Sequence, residues 1–193
     1  MTENNSIGFF KKKKSLEEIV MTLAVSGINV ENKCMFISDD KTANIVKSLL
    51  KKYKISFSYF LFWENVLRYS NSFNVLKVFL KLQSEALNKQ ILERLRDPEV
   101  FMQFYNYDKT MSKIGFRKLL DFGFNYFIDS FDNSIFSPTS TKTIATNFLD
   151  LLTEGNYESS DIYTTMHFNL MIQADIEALR NRIKKKLEIL SLK

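Results

Sequence analysis

The chain has 193 residues, of which 45% are apolar and 25% charged, with five glycines and two prolines; this composition excludes an intrinsically disordered or collagen-like polymer and suits one domain with one sizeable core. A lone cysteine, Cys34, excludes an internal disulfide and implies a reducing compartment. The net charge of +5 permits an acidic partner, although lysines distributed along several helical patterns normally mark solvated faces.

In chain order, Ser6 to Phe10 reads as a short strand, and Ser15 with Glu18 forms a capping box that opens a helix to about Ser26, stopped by Gly27. Lys33 to Ser38 is a short apolar run bounded by polar residues, expected as a strand buried on both faces. Asp39 or Asp40 is placed to cap the next helix, whose Ile45, Val46, Leu49 and Leu50 share one side and which ends at the lysines before Ile55. The aromatic stretch Ile55 to Trp63 is the next expected strand.

From Phe73 to Arg96 the apolar residues recur at helical spacing, and Asp97 followed by Pro98 starts a further helix. Gly115 and Gly123 punctuate a third helical piece. Asn125 to Asp129 then reads as a buried strand closed by a carboxylate, and Ser137 with Pro138 starts a helix through Leu152. Asp161 to Phe168 suggests one more strand, followed over 172–190 by an amphipathic helix with Ile176, Leu179, Ile183, Leu187 and Leu190 aligned. Alternating strands and helices predict a single α/β domain over 1–193, with a mainly parallel sheet flanked by helices and a helical insertion over 64–122.

The N-terminal residues do not follow the basic-then-apolar order of a secretory signal, and no apolar run reaches the ~18 residues of a spanning helix, so no membrane association and a cytoplasmic location are expected. One histidine and one cysteine are too few for a zinc cage or a Cys/His pair, and His167 reads as a structural residue. Neither a nucleophile-elbow serine nor a Gly-rich dinucleotide fingerprint is present.

Three places at expected strand ends resemble the working parts of RecA-type ATPases, particularly the KaiC-like branch. Gly8, Lys14 and Ser15 match the phosphate loop G-x-x-x-x-G-K-[ST], with Lys13 where the second glycine belongs. A lysine side chain there obstructs the close approach of phosphate to backbone amides, so the resemblance is to a degenerate member. The same residues also read as a solvated lysine run before a capped helix. Asp39 and Asp40 follow a strand where the family carries its catalytic glutamate, and they would position the attacking water if the site were active. Their other reading is helix capping. Asp129, followed by Ser130, resembles the acidic residue that holds the metal-bound water; it too has a capping alternative.

The resemblance implies a RecA/KaiC-like domain without an intact phosphate loop, needing no cofactor and working as a binding or regulatory module through a protein partner or self-association. If the loop functioned, ATP and Mg would be its cofactors and the chain an ATPase. The excess of lysine keeps nucleic acid as a third possible partner, with affinity that falls steeply as salt rises. The final helix, with its aliphatic stripe opposite Arg180, Arg182, Lys184, Lys185 and Lys186, suits docking on its own domain or pairing with another helix.

Overall fold

A computed structural model describes residues 34–37, 39–79, 113–136, 143–158 and 161–191, with isolated positions at 86, 89, 92, 93, 97 and 99. Among the described residues there is no strand and no sheet: the fold is all-α. A 3-10 turn, Met35–Ile37, precedes α1 (Asp40–Tyr53), α2 (Phe57–Phe79), α3 (Lys113–Phe136), α4 (Ile144–Leu152) and α5 (Ile162–Ser191). The expected α/β fold, with a mainly parallel sheet that includes strands at 33–38 and 125–129, is therefore corrected.

Each expected strand that lies among the described residues has a local reason for being something else. Cys34 to Ile37 closes on itself through a bond from Ile37 N–H to the Cys34 carbonyl, 3.2 Å, and its apolar character comes from Met35 and Phe36 entering the core. Ser56 starts a helix within the expected strand 55–63: its hydroxyl accepts from Tyr59 N–H at 3.3 Å and its carbonyl from Phe60 N–H at 3.1 Å. Asn125 to Asp129 continues α3 without a break, because the short apolar run Tyr126 to Ile128 between exposed Asn125 and Asp129 fits one side of a helix as well as a strand. Asp161 caps α5 by accepting from Thr164 N–H at 3.0 Å, so residues 162–168 are that helix's first two turns. The expected strand and helix at 6–27 lie outside the described residues.

The helix foreseen after Asp39 is α1. Asp39 caps its start, accepting from Thr42 N–H and the Thr42 hydroxyl at 2.9 and 2.7 Å. Lys54 ends it in the left-handed region at φ 55°, while Ile55 N–H reaches the Leu50 carbonyl in a Schellman-type closure. Val46 and Leu49 face inward. α4 has the same kind of start, with Thr143 accepting from Thr146 N–H at 3.1 Å.

α2 is the central element. Over Val66 to Leu76 it is buried on every side, polar residues included, so it has no solvated face to give it a helical periodicity. It packs most extensively on α3 and also meets α4 and α5. Gly123 of α3 permits the closest approach: a Cβ there would stand 2.5 Å from the Trp63 ring and 2.8 Å from Val66. Helix α2 runs across position 64 and α3 across position 122, so both ends of the expected insertion fall inside helices.

The core is an aromatic cluster. Phe36 stacks on Phe168 at 4.4 Å and Phe148 at 5.5 Å, and meets Phe60 edge-on at 5.8 Å; Phe127 closes the cluster beside Phe148 at 6.1 Å. Edge and offset contacts of this kind add to the burial of large rings. One residue of the 3-10 turn thus holds together α2, α4 and α5.

Candidate functional site

Two features carry chemistry. The first is internal. Glu64, on α2, is 1% exposed and accepts the Met35 N–H through Oε1 at 2.7 Å. Arg68, one turn later, lies 3.8 Å from Glu64 and 3.3 Å from Asp175 of α5, so one buried cation is shared by two carboxylates. Burial pushes Glu64 up to about 7, against the opposing pull of Arg68 and the Met35 N–H. The Cys34 thiol adds a hydrogen bond to Glu64 and is itself pushed up to about 12, by burial first and then by the Glu64 charge. A thiol held protonated in this way is a poor nucleophile. The second oxygen of Asp175, Oδ2, is buried without a hydrogen bond.

This cluster ties the 3-10 turn to α2 and α5, and it makes stability depend on pH in a definite direction. Because the folded-state pKa of Glu64 lies above its ordinary 4.5, its contribution is complete below about pH 4.5 and is lost as pH rises through about 7. The loss is on the order of 3 kcal/mol. Replacing Glu64 with Gln keeps an acceptor for Met35 N–H and removes the titration. Urea unfolding at about pH 5 and about pH 8 should show the wild type weakening at the higher pH and Glu64→Gln holding steady; equal pH dependence in the two proteins would refute the assignment.

The second feature is on the surface. A groove of about 500 Å3 runs between α1 and the start of α5, lined among others by Lys41, Ile45, Leu49, Lys52, Tyr163 and Thr164. Lys41 sits over the Tyr163 ring at 5.7 Å from its centroid, and Lys52 is anchored by Glu158 at 2.8 Å. Beside the groove, Ile162, Tyr163, Met166 and Leu170 are each more than half exposed. Their i, i+4, i+8 spacing places them on one side of α5, while Thr164, Phe168, Ile172, Ile176, Leu179 and Ile183 bury the opposite side. The first turns of α5 are thus apolar towards the core and towards solvent.

Of the residues expected to form a nucleotide site, Asp39, Asp40 and Asp129 are described, at the start of α1 and on α3. Asp39 is the exposed cap of α1, and the Thr42 amide and then the Thr42 hydroxyl hold its carboxyl below the ordinary range. Asp40 occupies the first turn of α1 and is exposed; Asp129 is exposed on the middle of α3, at no strand end. Gly8, Lys14 and Ser15 lie outside the described residues. Among the described residues no group of His, Cys, Asp and Glu is arranged to hold a metal ion, and no helix is long and apolar enough to cross a membrane. His167 stacks edge-on against Tyr163 at 4.6 Å, beside the apolar stripe.

Sequence reasoning passed over Glu64, Arg68 and Asp175, although Glu64 and Arg68 stand at i, i+4 inside an apolar aromatic run, the local signal that could have marked them. The solvent-facing stripe of α5 was hidden by reading 161–168 as a strand.

No protein-family model matches this sequence, and comparisons with curated proteins and with solved structures give no match either; nothing in them bears on the RecA/KaiC resemblance.

Proposed function

We propose that the chain is a helical binding module, non-catalytic and cytoplasmic, that works by docking a helix of another protein along the groove between α1 and α5. The observation that carries this reading is the run of exposed apolar side chains at Ile162, Tyr163, Met166 and Leu170. Exposed apolar residues scattered singly are ordinary, but a row of them at helical spacing beside a groove is the geometry of helix-in-groove recognition. Of the two lysines at the groove, Lys52 is paired with Glu158 and Lys41 stands over the Tyr163 ring, so Lys41 is the cation placed to meet an acidic residue flanking an amphipathic helix. The strongly perturbed groups lie away from the surface, Glu64 and Tyr69 buried and Cys34 half-buried against the core, where they support the fold better than they could meet a substrate.

A photoreactive amino acid placed at Met166 tests this reading in cells. The expected product is a crosslink to another protein, mapping to a helical segment with acidic flanks and lost on Leu170→Glu in a protein whose circular dichroism is unchanged. Crosslinks only between copies of this chain would replace the partner with self-association. Capture that is indifferent to Leu170→Glu would overturn the reading.

A further inference from the structure

On another part of the surface, α2, α3 and the end of α4 enclose a cleft of about 460 Å3 lined by Tyr59, Trp63, Leu119, Phe122, Tyr126, Asp150, Leu151, Glu154 and Gly155. Three of its walls are partly exposed aromatic rings, Tyr59, Phe122 and Tyr126, with Trp63 beneath them at 1% exposed. Tyr59 meets Trp63 edge-on at 6.0 Å and 87°, and Phe122 stacks with Tyr126 at 5.8 Å and 22°, so the two pairs come from facing helices. Phe122 is 56% exposed, more than a ring placed only to fill the core would be. The polar part of the lining is anionic: Asp150 and Glu154 contribute carboxylates, and no Lys or Arg among the described residues lines the cleft. Burial and then the Asp150 charge push the Tyr126 hydroxyl up, which places that carboxylate within electrostatic reach of the rings. In a chain of net charge +5, two acids without a described ion pair beside three partly exposed rings select for a cation.

The end of α4 is shaped to present them. Glu154 and Gly155 both adopt left-handed backbone, at φ 53° and 80°, and Gly155 N–H closes on the Asp150 carbonyl at 2.7 Å. This turn folds the chain back so that Asp150 and Glu154, one helical turn apart in sequence, both reach the cleft.

We propose that this cleft binds an alkylated ammonium group, the trimethylammonium of a small choline-like molecule or of a methylated lysine side chain. The faces of aromatic rings attract a cation whose charge is spread over methyl groups, and such a cation loses little hydration on entering. The carboxylates supply the long-range attraction and the rings the discrimination against strongly hydrated ammonium ions.

Trp63 is the only tryptophan in the chain and lies at the floor of the cleft, 1% exposed and edge-on to Tyr59, so its fluorescence reports on the site through that neighbouring ring. Choline and a trimethyllysine peptide should each be titrated against the whole chain, alongside 3,3-dimethylbutanol, the uncharged isostere of choline. The expected result is a saturable change in tryptophan emission with at least one of the two cations and affinity about tenfold weaker for the isostere. Phe122→Leu and Glu154→Gln, both at exposed positions, should each weaken the cation with no loss of helical circular dichroism. Tighter binding of the peptide would identify a modified protein as the source, and tighter binding of choline a free small molecule. Equal affinity for the isostere, absence of saturation with both cations, or indifference to both substitutions would overturn the proposal.

Discussion

Arg68→Leu is expected to cost about 3–5 kcal/mol of folding free energy, the usual result of removing one partner from a buried ion pair. The side chain is 9% exposed and stands between Glu64 and Asp175. Without it both carboxylates must either remain charged in the core or take up protons, and Asp175 already has one oxygen without a hydrogen bond. Leucine restores apolar volume but supplies no charge, so the loss is electrostatic more than steric. Equilibrium urea unfolding measures it. The triple variant Arg68→Leu, Glu64→Gln, Asp175→Asn should recover a large part of the deficit, because the uncompensated charges leave together with the cation. A single-variant loss below about 1 kcal/mol would mean that water reaches the cluster and screens it.

Phe36→Ala should be comparably damaging, at about 3–5 kcal/mol, which for a chain of this length lowers the thermal midpoint by on the order of 10 °C. Phe36 is fully buried, and its ring touches those of Phe60, Phe148 and Phe168 on three separate helices. Truncation leaves a void that those rings cannot all move to fill, since each is held by its own helix. The neighbouring Ile37 is exposed, and Ile37→Ala should fall within about 0.5 kcal/mol of the wild type. If the two substitutions had similar effects in a thermal melt, the 3-10 turn would not be the anchor that these contacts describe.

The α5 groove and the α3 cleft use different parts of the same scaffold. The groove depends on α5 being apolar on two sides, and the cleft on the fit of α2 against α3 at Gly123, which sets the distance between the Trp63 pair and the Phe122 pair. The Glu64 cluster ties α2 to α5 and to the 3-10 turn. Substitutions there should therefore act on stability first and on either surface only through it.

Local chemistry made several features legible in the amino acids. Asp39 as a helix cap, the inward side of α1 at Val46 and Leu49, the end of α4 at Leu152, and the buried Ile176, Leu179 and Ile183 of α5 all follow from short-range capping and from a period of 3.6 against solvent. Such signals need only a helix with one wet side. α2 has none over Val66 to Leu76, where every position is buried; the strand reading fell on Ile55 to Trp63, whose run of aromatic residues carries β propensity. Asn125 to Asp129 in α3 was disguised because its apolar run, Tyr126 to Ile128, is too short to show a helical period, and the solvent-facing apolar residues of α5 disguised its first turns. Capping by Ser56 and Asp161 was present in the sequence, but weak local signals lose to a run of aromatic residues unless packing decides between them. Tertiary structure alone settled that these segments are helices wound around a buried one, and that Glu64, Arg68 and Asp175, 111 positions apart at the extremes, form one cluster. The reason is that side-chain burial and charge pairing across helices depend on which helices meet, a property of the whole packed chain that no short window of residues contains.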